Sequence, residues 1–271
     1  MVVTMFIRIS IFDIDFAGLR KPEKGSAYSG LLYSSIYSNC SIIKYADDTV
    51  LLGKIHADDV SNYISQVNHF IEWCGLNYLN INVNKTKKML IDFRRNRVEP
   101  FPLTINSVSV ERVSQYKYLG IIIDNKLNGS PNTQRVYSKA AQRLHHLYIL
   151  HSLHVDSKLV SLAYKSFVES ILCFSITIWY KVLSVKDKSK LKKIVRRASK
   201  LKAITKSLDK LYDDNVLAYV QKIMKDENHP LHVCYNLLKS GRRLALPKIH
   251  TTRFKNSFIP SSIKLFNHVF A

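Results

Sequence analysis

The sequence predicts an α+β chain, with short strands and one helix first and a helical, strongly basic part after them. Three observations carry this. Up to about residue 125, β-branched and aromatic runs alternate with turn signals, and one stripe of helical period interrupts them. After Gly129, Ser130 and Pro131, apolar residues recur at helical spacing through three successive segments. The charge is also concentrated late: of 41 Lys and Arg against 20 Asp and Glu, eleven basic residues and one acid fall between Lys181 and Lys206. With 46% hydrophobic residues the chain is not a disordered one, and 271 residues suffice for one large or two modest domains.

The elements follow in chain order. The start, MVVTMFIRISIFDIDF, is apolar but interrupted by Arg8, Asp13 and Asp15; it lacks the basic start and cleavage site of a secretory signal. Ile42–Tyr45 and Val50–Leu52 read as two strands joined through Ala46, Asp47, Asp48 and Thr49. Val60, Tyr63, Ile64, Val67, Phe70, Ile71 and Cys74 make one helical stripe, with Gly75 as its stop. Met89–Phe93 reads as a strand, and Leu103–Val113 alternates as a hairpin around Asn106 and Ser107. Tyr116–Asp124 is a further strand run, bent at Gly120. Helices are expected at Asn132–His151, Ser157–Tyr180 and Val185–Lys206, with a domain boundary near Gly129. Beyond Leu246 the sequence reads as irregular and basic, with Pro247 and Pro260. There is no internal repeat.

A net charge of +21 costs self-repulsion unless something anionic neutralises it, and nucleic acid is the first such partner, an anionic membrane the second. The longest apolar run, Ile171–Leu183, already contains Lys181 and is shorter than the roughly 20 residues of a bilayer span, so no membrane partner is expected. Cys40, Cys74, Cys173 and Cys234 lie far apart; no CxxC pair and no disulfide partner is expected, and an intracellular setting, nucleus or cytoplasm, suits them.

Asp47 and Asp48 stand between apolar strands, whereas Asp58-Asp59 and Asp213-Asp214 have polar, helix-like surroundings that explain them. Paired carboxylates at a hairpin tip are hard oxygen ligands of the kind Mg²⁺ takes.

The run YADD, Tyr45–Asp48, between apolar strands resembles the catalytic motif of reverse transcriptases. LNINVNKTKKMLIDF (Leu79–Phe93) and YKYLGIIID (Tyr116–Asp124) resemble the next two palm motifs of the non-LTR, LINE-type retrotransposon enzymes, in order and spacing. Later segments resemble the thumb and C-terminal tail of such enzymes, so the likeness covers roughly residues 31–271. It implies residues 1–30 as an unrelated or poorly ordered segment, 31–128 as a palm remnant and 129–271 as a helical basic thumb and C-terminal region.

The resemblance also implies roles. Asp47 would be a direct Mg²⁺ ligand (Mn²⁺ as substitute), and Asp48 its acidic neighbour. Tyr45 and Ala46 would lie near the primer end and the incoming dNTP. Lys85, with Lys87 as the alternative, would approach the triphosphate as general acid. Tyr118, Leu119 and Gly120 would form the primer grip. Lys192, Lys193, Arg196 and Arg197 would track the backbone of an RNA template and DNA primer. Asp15 is the distant candidate for the first palm aspartate. The departure lies upstream. No Gln- and Gly-containing helix motif precedes YADD, and only 32 residues separate Asp15 from Asp47. The expectation is therefore a truncated polymerase, inactive alone, with a non-catalytic nucleic-acid-binding chain as the alternative. A third reading, an AlkB-homologue-like segment at Leu127–Leu150 with His56 and Asp58 as part of an iron triad, finds no jelly-roll pattern in support.

Overall fold

A computed structural model describes residues 3–12 (backbone only), 40–45, 48–55, 59–94 and 102–270. The described residues form an α+β chain in two compact units. One holds those up to Tyr118 together with Ile123–Leu127; the other holds Leu119–Ile122 and those from Asn128 on.

The first unit is built on a sheet of β1 (Val3–Phe12), β2 (Cys40–Tyr45), β3 (Asp48–Ile55), β4 (Asn80–Ile81), β5 (Lys87–Ile91) and β8 (Glu111–Arg112). Between them come α1 (Ser61–Leu76), after β3, and the small hairpin β6 (Thr104–Ile105) and β7 (Val108–Ser109), before β8. The strand order is β2-β3-β1-β5-β8, with β4 on the end of β1. β1 is antiparallel to both β3 and β5, and β5 is parallel to β8. The sequence sets residues 1–30 apart from the strands that follow. The pairing instead gives Val3–Phe12 the place between β3 and β5, because neither of those strands pairs with the other.

Strand alternation assigns the two faces of β3. Leu51 and Ile55 cluster with Tyr63, Val67, Phe70 and Cys74 of α1, while Val50 is buried on the opposite face with Met89. Gly53 shares the α1 face. A Cβ there would lie 1.9 Å from Cδ2 of Tyr63, whose hydroxyl donates to the Leu51 carbonyl at 3.1 Å. Glycine is what lets this ring lie flat on the strand. The expected helix stop at Gly75 shifts. The helix runs to Leu76, Asn77 Nδ2 donates to the Trp73 carbonyl at 2.8 Å, and Tyr78 takes the left-handed turn at φ 55°. The β6–β7 hairpin turns at Asn106 and Ser107, both left-handed, as a two-residue loop of that twist requires.

The run Tyr116–Asp124 divides into β9 (Gln115–Tyr118) and β10 (Ile121–Asp124), joined by Leu119 and Gly120 at φ 43° and 85°. The second unit then follows with α2 (Ser130–Ser152), α3 (Ser157–Tyr164), α4 (Ser170–Cys173), α5 (Ile176–Trp179), α6 (Val185–Lys200), α7 (Leu208–Lys225), α8 (Thr252–Lys255) and α9 (Phe258–Phe270). The single helix expected over Ser157–Tyr180 is broken twice: Lys165–Glu169 widens into a π turn, and Ser175 is left-handed at φ 50°. The indole N–H of Trp179 donates to the freed Phe174 carbonyl at 3.0 Å. Val136, Ala140, Leu144 and Leu147 of α2 share one core with Leu191, Ile194 and Ala198 of α6 and Val216, Val220 and Ile223 of α7. The tail read as irregular carries α9, since Pro260 falls in its first turn, where no intrahelical N–H bond is lost.

Gly53→Ala forces the Tyr63 ring off the sheet, and overpacking of this kind costs about 1–3 kcal/mol. Urea unfolding followed by far-UV circular dichroism should show a lower midpoint; an unchanged midpoint would refute the close packing.

Candidate nucleic-acid interface

One end of the first unit's sheet gathers several of the residues singled out above. Tyr45 ends β2 and Asp48 opens β3, and the two are register partners across the hairpin. Asp48 is also opposite Ser10, while Ile11 and Phe12 pair with Ile81 and Asn80. Arg8 is opposite both Val50 and Lys87. The hairpin, the Phe12 end of β1 and the 3-10 turn Val83–Lys85 therefore share one sheet end. Tyr45 is 62% exposed there, Asp48 is half-buried and Lys85 is exposed. The Lys85 N–H donates to Asn82 Oδ1 at 3.1 Å, which fixes the turn. Lys87, the alternative to Lys85, is an ion-pair partner of Glu111 at 2.5 Å. Ala46, Asp47, Asp15, His56 and Asp58 lie outside the described residues.

Two carboxylates, Asp48 and Glu111, fall at this end among the described residues. They stand three strands apart, about 14 Å at the usual strand spacing. No ion bridges that distance, and no group of three or more His, Cys, Asp or Glu among the described residues is placed to hold a metal ion. The described donor set does not fit a two-Mg²⁺ site, and no catalytic step through a metal follows from it.

In the second unit, the Leu119–Gly120 turn is held from α2. An Arg135 guanidinium N–H donates to the Gly120 carbonyl, and the Ile122 N–H donates to Asn132 Oδ1 at 3.1 Å. A Cβ on Gly120 would meet Phe174 at 3.0 Å, so close approach and positive φ both require glycine here.

Helix α6 sorts its own charges. Leu191, Ile194, Val195 and Ala198 are buried, and Ser184 caps its N-terminus, with the hydroxyl accepting from the Asp187 N–H at 3.1 Å. Lys188 lies 5.2 Å over the Tyr180 ring, and Lys192 pairs with Asp209 at 2.5 Å. Lys192, expected to track a backbone, is thus engaged inside the unit. Lys193, Arg196, Arg197 and Lys200 are exposed at i, i+3, i+4 and i+7 and form no ion pair or hydrogen bond among the described residues. Lys200 was not singled out from sequence, although the same spacing carried one turn further points to it.

No family model matches the chain, and no curated protein and no solved structure matches it.

Burial alone would raise the Asp209 carboxyl. Hydrogen bonds from Lys192 and from the Tyr180 hydroxyl, the latter at 2.8 Å, outweigh it and hold the carboxyl below the usual range. A depressed carboxylate stabilises the fold above its unfolded pKa, and that contribution is lost as pH falls through the folded value. The Lys192–Asp209 pair is solvent-screened, so most of the effect comes from the tyrosine bond, about 1 kcal/mol. Asp209→Asn should lower the unfolding midpoint at pH 7, and the gap to wild type should begin to narrow below about pH 4, where an ordinary aspartate is protonated, and close once the pH is below the depressed folded value. A gap that persists undiminished at pH 2.5 would show that charge is not its source.

Proposed function

We propose that this chain is a nucleic-acid-binding protein derived from a LINE-type reverse transcriptase, with the polymerase chemistry incomplete in these residues alone. The observation that carries the reading is the stripe Lys193, Arg196, Arg197 and Lys200, exposed and without acidic counterparts among the described residues, on a chain of net charge +21. A solvated surface helix carries both signs; one sign alone matches a polyphosphate. The palm resemblance is supported by the sheet order, in which the strands flanking YADD sit beside one further antiparallel strand and then β5. Positioning and electrostatics supply most of phosphoryl-transfer catalysis. The described residues offer neither a nucleotide-holding fingers module nor a fitted carboxylate pair, so binding is the property that remains.

A second reading, an active polymerase, is favoured by one observation. The register Ser10 to Asp48 brings the end of β1 to the hairpin, and the sequence continues from Phe12 into Asp13 and Asp15.

One pair of assays separates the two. The purified chain should bind a nucleic-acid duplex with log affinity falling by about 3 to 4 per tenfold rise in salt, as four phosphate contacts require. It should extend no primer in Mg²⁺ or Mn²⁺. Salt-insensitive binding, or none, would refute the binding reading. Primer extension lost in Asp47→Ala and Asp15→Ala would establish the second reading instead.

A further inference from the structure

Helix geometry turns the basic stripe into one wall of a seam. At about 100° per residue, Lys186, Lys190, Lys193, Arg197 and Lys200 fall within an arc of about 80° along one border of the buried stripe of α6. Lys188 and Lys192 border the other side, where Tyr180 and Asp209 engage them. The first border faces α2. Ser130 Oγ donates to Asp187 Oδ2 at 2.8 Å, and Lys190 reaches Gln134 Oε1 and sits 5.1 Å from the Tyr137 ring centroid. The two helices thus run side by side in the same direction.

Along α2 the matching border is aromatic. Tyr137 and Tyr148 are eleven residues apart, three turns, so they lie within about 20° of one line, and His145 falls on the same border. Carried along from the Lys190–Tyr137 contact, Lys200 comes level with Leu147 and Arg197 with Leu144, so both lie within about two turns of Tyr148. Tyr148 is 46% exposed, and no aromatic or polar partner covers its ring among the described residues. An exposed tyrosine on one helix and unneutralised cations on the helix packed against it are the combination that binds nucleic acid through stacked bases and held phosphates.

We propose that the seam between α2 and α6 is a binding site for single-stranded nucleic acid. Tyr148 is its stacking surface, and Lys193, Arg197 and Lys200 are its phosphate contacts. This rests on the nucleic-acid reading above and narrows it. A base in a duplex offers no free face to Tyr148, whereas an unpaired base does. The distance from Tyr137 to Tyr148, about 16 Å along the axis, accommodates about five nucleotides at a stacked rise of 3.4 Å.

The test is fluorescence anisotropy on the full chain with a labelled oligothymidylate and with a duplex of equal length, each across a salt series. The single strand should bind more tightly. Tyr148→Ala should weaken its binding about tenfold and leave the salt slope unchanged, and Tyr148→Phe should restore it. Arg197→Ala should reduce that slope by about one. Duplex binding as tight as single-strand binding, with no effect of Tyr148→Ala, overturns the seam while the nucleic-acid reading stands. Binding to phosphatidylserine vesicles with none to either oligonucleotide overturns both.

Discussion

The burial of Leu191, Ile194, Val195 and Ala198 decides where every cation on α6 can point. Ile194 and Leu191 are closed off from solvent completely, in one core with Leu144 of α2 and Val216 of α7. Burying four such side chains stabilises the helix by several kcal/mol, far more than any exposed charge on it contributes. The hydrophobic face therefore sets the rotation of the helix, and the electrostatics follow. One border is turned to Asp209 and Tyr180; the other is left with five cations and a neighbouring helix that supplies tyrosines rather than carboxylates.

The first unit depends on β1 in a comparable way. Without it, β3 and β5 have no partner between them, and Val50 and Met89 lose the sheet that brings them into one cluster. The same strand governs the chemistry of the hairpin end. Ser10 stands opposite Asp48, and Phe12 opposite Asn80, so the hairpin and the Lys85 turn come to one end only because β1 joins them. Two carboxylates about 14 Å apart are not suited to a metal pair.

Local pattern made much of this legible. The α1 stripe, the turn at Asn106 and Ser107, the bend at Gly120 and the change of character near Gly129 all stand in the sequence because each rests on residues close together in the chain. What was not legible depends on distant partners. Gly75 looked like a helix stop, but Asn77 bonds the Trp73 carbonyl and Tyr78 takes the left-handed conformation instead. The place of Val3–Phe12 depends on strands more than 35 residues away along the chain. The sorting of Lys192 from Lys193 depends on Asp209, which no spacing rule within α6 reveals. Of the candidate site, Tyr45, Asp48 and Lys85 converge on one sheet end, while Ala46, Asp47 and Asp15 lie outside the described residues.

The charge and the fold pull in opposite directions, and the seam shows how they coexist. A net +21 repels itself, yet the acids of the second unit are placed where they stabilise local structure. Asp187 accepts from Ser130 and Ser184 hydroxyls, Asp209 from Tyr180 and Lys192, and Asp214 from Lys206 and Lys210. Those carboxylates hold helices to helices and neutralise the cations nearest them. None is left over for the outer border of α6. A chain under selection for stability alone gains from one glutamate at a position such as Ser189, at i, i+4 from Lys193. Leaving that border positive concentrates the repulsion at one place. Apolar burial thus aims the charge, and the placement of the acids leaves it without a counterion among the described residues.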